Sequence, residues 1–380
     1  MRTLPALALL LLALASLAAP TASPPAIAQA AGVPTCLGES RSLIISNGMP
    51  YIPVRVQGRT GFFVVDLGAD VSAISPTTFL GDGMNPAPMA GSSNLFAGVD
   101  FFGAQPPLRL SVQDQSDIRG IVPQAGLIGT DLLRNHMVTL DYANAVIHRG
   151  APEQFCGEEL LRRAGFQPLS SRDYFGQNPQ TLTCPVAPRP CPNIPTIPVR
   201  IGSVLALAQV DTGYADSQSP PSMNINQALF QKLQAAGVPL QAVAKPNLQL
   251  TTCVRGQSEA VKRYRLRGDT TVDLVGEAGL AVRRLSGVTL FVKNSPAAAQ
   301  VCGGIGTWSQ PAAQLGASFV NDGTLVVDPV GQRLWFRGAA ASAWPSARPS
   351  PSRRQAGGRA PAEARRPVGS AGSAPNWWGD

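Results

Sequence analysis

Apolar and polar positions alternate along Ile52-Pro53-Val54-Arg55-Val56, then break at a turn over Gly58 to Gly61. They close up again as an unbroken apolar run, Phe62-Phe63-Val64-Val65, that ends on Asp66. Alternation with period two marks a half-buried strand, and a short apolar run marks a fully buried one. This stretch therefore predicts a hairpin that delivers an acid at its end. The pattern returns at Ile197-Pro198-Val199-Arg200-Ile201, with a turn at Gly202-Ser203 and the run Val204 to Val210 leading to Asp211. In both copies the acid lies 14 residues after the isoleucine (66 − 52 and 211 − 197), and a glycine stands two positions further: Asp66-Leu67-Gly68 and Asp211-Thr212-Gly213. Those glycines are expected to admit backbone conformations that a side chain forbids.

The downstream parts match as well. Leu127-Ile128-Gly129 is followed by Asp141, and Gln314-Leu315-Gly316 by Asp328, with a gap of 12 in each copy (141 − 129 and 328 − 316). Strands over 138–140 and 146–148 flank a turn at Asp141, and strands over 325–327 and 333–336 flank one at Asp328. The second copy carries about 42 more residues than the first, all between Gly213 and Gly316. Within them, 224–237 predicts a helix with Ile225, Leu229 and Leu233 on one face. The duplication divides the chain into a first lobe over 40–150, a Pro- and Cys-containing linker over 151–195 and a second lobe over 196–338.

The two ends read differently. Met1-Arg2 is followed by an apolar run from Leu4 to Leu17 and by Ala28-Gln29-Ala30, the pattern of a signal peptide over 1–30 with cleavage after a small residue. Residues 339–380 are rich in Ala, Pro, Ser, Gly and Arg and carry a net +4, half of the chain's formal +8, so the basic balance is largely a tail property. Such a composition predicts a solvated, disordered tail that touches anionic envelope surfaces, and not a nucleic-acid site. Charged residues make up 14% of the chain, with 38 Gly and 35 Pro, which suits a turn-rich β protein. The mature protein is expected to be soluble, and secreted or periplasmic.

Six cysteines in an exported chain predict three disulfides, for which fifteen pairings can be drawn; position favours Cys184–Cys191, Cys253–Cys302 and Cys36–Cys156. The cysteine spacings do not suit zinc, and His136 and His148 are the only imidazoles, so neither a metal site nor a Ser/His/Asp mechanism is expected, and no cofactor. Asp141 and Asp328 read as turn formers, Asp131 as a helix cap, His148 as a strand-surface residue and His136 as a loop residue. Glu158-Glu159 and Arg162-Arg163 read as a solvated helix face. What remains is one carboxylate per copy. Two carboxylates a few ångströms apart share a proton; the ionised one can activate water while the protonated one polarises a carbonyl.

Phe63-Val-Val-Asp66-Leu-Gly-Ala69 with Gly126-Leu-Ile-Gly129, and Ala208-Gln-Val-Asp211-Thr-Gly213 with Leu315-Gly316, resemble the aspartic protease superfamily over about residues 45–337. Two copies in one chain resemble the bilobal pepsin arrangement, whereas the Asp-x-Gly-Ala start is similar to bacterial retropepsin-type domains. The resemblance implies a mostly β fold of two β-barrel-like lobes related by a pseudo-twofold axis. It implies a catalytic pair Asp66 and Asp211, supported by Gly68, Thr212 and Gly213, with Leu127-Ile128 and Gln314-Leu315 passing behind the acids. It also implies a flap, assigned to Phe96–Gly103, whose Phe101 and Phe102 cover a polypeptide substrate.

Three positions depart from that pattern. Leu67 stands where the superfamily has Thr or Ser, which predicts that the Thr212 hydroxyl loses its mate and leaves a buried polar group unpaired, at a cost of about 1–3 kcal/mol. Asp70 is a third acid near the pair, and Tyr214 is bulky where a small residue is usual. The sequence thus predicts an exported, monomeric aspartic-type endopeptidase. The alternative is an impaired pseudo-protease that binds peptides or a protein partner in the same cleft.

Overall fold

A computed structural model describes residues 34–118, 120–169, 173–174, 194–216, 220–251, 258–294 and 304–338. The predicted signal peptide over 1–30, the predicted tail over 339–380 and the expected pairs Cys184–Cys191 and Cys253–Cys302 lie outside the described residues. The described chain is mostly β, in several sheets, with short helices.

Both predicted hairpins form. β1 (Met49–Val56) pairs antiparallel with β2 (Arg59–Val65) around Gln57-Gly58. Both turn residues have positive φ, 52° and 85°, as a two-residue turn matched to strand twist requires. β2 then runs parallel to β4 (Gln124–Ile128), and β4 pairs antiparallel with the short β3 (Ala73–Ile74). The second half repeats this arrangement. β5 (Pro195–Ile201) and β6 (Val204–Val210) make the hairpin, β6 runs parallel to β8 (Ala312–Leu315), and β8 pairs antiparallel with β7 (Ser222–Asn226). In both halves the long apolar strand is therefore central in its sheet and ends on the acid. The Asp66 N–H donates to Ile128 O at 2.9 Å and the Asp211 N–H to Leu315 O at 3.3 Å, so each acid leaves its strand at a fixed point.

The two halves share a six-stranded sheet, and the expected barrel-like character of the lobes is corrected. Met137–Asp141 pairs directly with Gly323–Asp328, Val138 opposite Val327 and Asp141 opposite Thr324, so the two downstream strands of the duplication are neighbours. Among the described residues the sheets are open: the seven-stranded one has Ile44–Ser46 at one edge and Ser111–Val112 at the other. The segment assigned to a linker is also structured at its start. Glu158–Arg163 is a helix, and Gln167–Leu169 pairs with Arg333–Gly338 at the edge of the six-stranded sheet. The extra length of the second half forms helix Gln227–Ala235 and the strands Leu240–Thr251 and Ser258–Leu266 of a ten-stranded sheet. The helix is shorter than predicted because Asn226 caps it, accepting from the Leu229 N–H at 2.9 Å, and Ile225 belongs to β7. Leu229 and Leu233 are buried as expected.

Cys36 and Cys156 form a disulfide that closes 120 residues, packed with Leu37, Leu161, Phe166 and Trp335. Replacing both by serine is expected to lower the unfolding free energy by about 2–5 kcal/mol, because the bridge restricts the unfolded chain; a loss below about 1 kcal/mol in denaturant unfolding would show that the surrounding apolar packing holds the two segments alone. The aspartates at the strand ends act as turn formers: Asp141 accepts from the Asn144 side chain at 2.8 Å, and Asp328 from the Gly331 N–H at 2.6 Å. His148 is not on the surface. It is 3% exposed inside the six-stranded sheet, where burial lowers its pKa. Among the described residues no helix is long and apolar enough to cross a membrane.

Candidate active site

Asp66 and Asp211 come together from the ends of β2 and β6. Each carboxylate is held first by its own loop: Asp66 Oδ1 accepts from the Gly68 N–H at 2.8 Å and Asp211 Oδ1 from the Gly213 N–H at 2.9 Å. Each is then seated against the other half's glycine. A Cβ placed on Gly68 would lie 2.3 Å from Asp211 Cγ, and one on Gly213 would lie 2.4 Å from Asp66 Cγ. Neither glycine has a positive φ, so the expected reason for them is corrected: space for the opposite acid requires glycine here, not backbone conformation.

The two carboxyl groups share a hydrogen bond. Burial raises the pKa of Asp66, opposed by donors that include the Gly68, Gly213 and Ala69 N–H groups. Asp211, 6% exposed, is raised well above the ordinary carboxylate range, first by burial and then by the charge of Asp66. Two like charges in one desolvated site resist double ionisation, so the pair retains a proton well above the acid range of a free carboxyl. Tyr51, Tyr142 and Tyr214 are also pushed up, first by burial and then by neighbouring charges that include these acids, so all three stay neutral phenols. Asp70 is half-buried.

Thr212 links the halves, and the predicted unpaired hydroxyl does not occur. Its Oγ1 accepts from the Leu67 N–H at 2.9 Å and donates to Val65 O at 2.6 Å, so both functions are satisfied by backbone across the interface. Leu67, fully buried in the core, has no hydroxyl to return the contact, and half of a reciprocal arrangement is present. Thr212→Val keeps the shape and strands a buried N–H and C=O, so it is expected to cost about 2–4 kcal/mol in denaturant unfolding, whereas Leu67→Thr also destabilises because it removes apolar burial. An unchanged unfolding midpoint for Thr212→Val would show that the bridge carries no energy.

Phe101 and Phe102 are not brought to the acids. Val99-Asp100 pairs with Arg55-Val56 at the turn end of the first hairpin, the end opposite Asp66. Both rings are buried, and Arg149 lies over them, 4.8 Å from the centroid of Phe102, while donating to Phe102 O at 2.6 Å. They pack against the six-stranded sheet and do not cover the pair.

Several contacts escaped the sequence reading. Asp131 is not the helix cap, since Gly129 holds that position and no side chain caps the helix. Asp131 lies within Thr130–Leu133 and accepts from the Ser72 hydroxyl at 2.6 Å and the Ser72 N–H at 3.0 Å, tying the loop after Asp66 to the turn after β4. The second half makes the same latch with the partners exchanged, Asp216 accepting from Ser222 N–H and Ser318 N–H, each at 3.1 Å, and from the Ser318 hydroxyl. Gln314, read only as part of the segment behind the acid, donates from Nε2 to Asp211 Oδ2 at 2.7 Å. A signal existed for it, since the second copy has Gln where the first has Leu127 in an otherwise buried strand. Among the described residues no group of three His, Cys, Asp or Glu could hold a metal ion.

No protein-family model matches the chain, and no curated protein matches it. Among solved structures it is similar to the basic 7S globulin from soybean, at 11% identity and a TM-score of 0.39, over 80% of this chain and 95% of that one.

Proposed function

We propose that the protein is an exported, monomeric aspartic-type endopeptidase of the bilobal pepsin-like kind, hydrolysing peptide bonds between its two halves. The observation that carries this reading is the mutual seating of the acids, each carboxyl against the other half's glycine and the two joined by a hydrogen bond. We assign the shared proton of the singly ionised pair to Asp211, on which the charge of Asp66 acts, and the negative charge to Asp66. Asp66 takes a proton from a water molecule as its oxygen attacks the carbonyl carbon, and Asp211 donates to the carbonyl oxygen. The tetrahedral diol then collapses: the C–N bond breaks, the nitrogen takes a proton from Asp66, and the diol returns one to Asp211. The pair ends as it began.

Peptide cleavage by the purified protein across pH 3 to 9, with and without a statine-type inhibitor or a chelator, tests the reading. Acid-favoured cleavage that the inhibitor blocks and chelators leave unchanged supports it; full activity at pH 9 or loss on chelation overturns it. A second reading rests on Leu67, which leaves the Thr212 bridge one-sided. Binding of peptides in the same cleft without turnover would favour that reading.

A further inference from the structure

The two halves place different chemistry at equivalent positions behind their acids. In the first half, Tyr51, Val64, Leu127 and Ala73 stand side by side across β1, β2, β4 and β3, in one apolar cluster. The corresponding row of the second half is Thr196, Gln209, Gln314 and Asn224. All four are buried polar residues. Apart from the Tyr51 hydroxyl, which donates to Gln124 Oε1 at 2.7 Å, apolar side chains fill this row in the first half, so packing alone does not explain three amides in the second.

The amides form a chain that ends on the site. Asn224 Nδ2 donates to Gln314 Oε1 at 2.7 Å, and Gln314 Nε2 donates to Asp211 Oδ2 at 2.7 Å. The chain is retained although Asn224 Oδ1 and both amide atoms of Gln209 are buried without a hydrogen-bond partner. Asp66 has no counterpart to this side-chain donor, because the position equivalent to Gln314 is Leu127.

We propose that Gln314, held in place by Asn224, is a positioning residue for Asp211 that sets the alkaline edge of activity. The proposal rests on the aspartic-protease reading above. An amide N–H stabilises a carboxylate more than a carboxylic acid, so it favours loss of the Asp211 proton. Burial and the Asp66 charge act in the opposite direction, and the charge of Asp211 is felt by the buried phenols of Tyr142 and Tyr214, the latter hydroxyl lying 3.4 Å from Ser222 Oγ. Because Asn224 occupies the carbonyl end of the Gln314 amide, the end that meets Asp211 is the donor. The same contact holds the Asp211 carboxyl in one orientation.

Gln314→Met removes the amide at similar length, and Gln314→Leu installs the residue that the first half already packs. In either variant the alkaline limb of the kcat/KM profile is expected to move up by about one pH unit, with the acid limb unmoved, and kcat to fall roughly tenfold with KM little changed. A limb that stays in place or moves down overturns the proposal, even if kcat falls, since loss of packing alone does not retitrate Asp211. If the wild-type protein cleaves nothing, the endopeptidase reading fails by itself, and the proposal is read from 13C-carboxyl NMR titration of the two acids. A higher upper pKa in the variants supports it, and an unchanged or lower one overturns it.

Discussion

Asp211→Asn and Asp66→Asn are each expected to reduce peptide cleavage by about 10²–10⁴-fold, the range for loss of a general acid or base. The Asp211 variant should nevertheless be as stable as the wild-type protein or more so, in a pH-dependent way. Asp211 has a folded pKa raised above its unfolded value, so its contribution to stability is fully present below the unfolded pKa and is lost as pH rises through the folded one. Asparagine removes that loss. Thermal unfolding should therefore find wild type and variant similar at pH 3.5, with the variant ahead at pH 8. Cleavage that survives in either variant would exclude the dyad. A variant less stable than wild type at pH 8 would show that the carboxyl is held by contacts that burial and like charge do not outweigh.

Alanine at Gly68 or Gly213 is the second large effect. The added carbon would meet the opposite carboxyl at 2.3 or 2.4 Å, where a van der Waals contact needs more than 3.4 Å, so the acid must move by about an ångström. Displacement of a reacting group on that scale costs about 10²-fold in rate, and the overpacking costs about 1–3 kcal/mol in stability. Because neither position has a positive φ, backbone strain does not contribute. Gly157→Ala, where the carbon meets nothing within 4 Å, is the control and should leave activity unchanged. If Gly68→Ala keeps full activity, the acids do not sit against each other's loops.

The conformational part of the fold was legible because it is local. Period-two alternation and short apolar runs gave both hairpins, and the isoleucine-to-acid spacing placed an acid at the same strand end twice. The Cys36–Cys156 pair was also foreseen, since the two residues bracket the first copy. Helix Gln227–Ala235 is legible from its apolar face, but both ends fall inside the predicted 224–237; at the start a side-chain cap at Asn226 overrides the periodicity. The linker was read from composition, which is blind to a short strand such as Gln167–Leu169 that exists only because Arg333–Gly338 has an open edge to pair with.

The sequence by itself determined the two hairpins, the faces they bury and the two acids at their equivalent ends. These follow from side-chain periodicity and from glycine and turn chemistry within a few residues of each position. Only the tertiary structure decided which neighbour each polar atom meets. Thr212 is satisfied by the backbone of residues 145 and 147 positions away, Gln314 reaches Asp211 across 103, and Phe101 and Phe102 are taken from the site by Arg149. A hydrogen-bonding group is buried at a cost and accepts whatever partner the packing of sheets brings within about 3 Å, and periodicity along one strand carries no information about that partner.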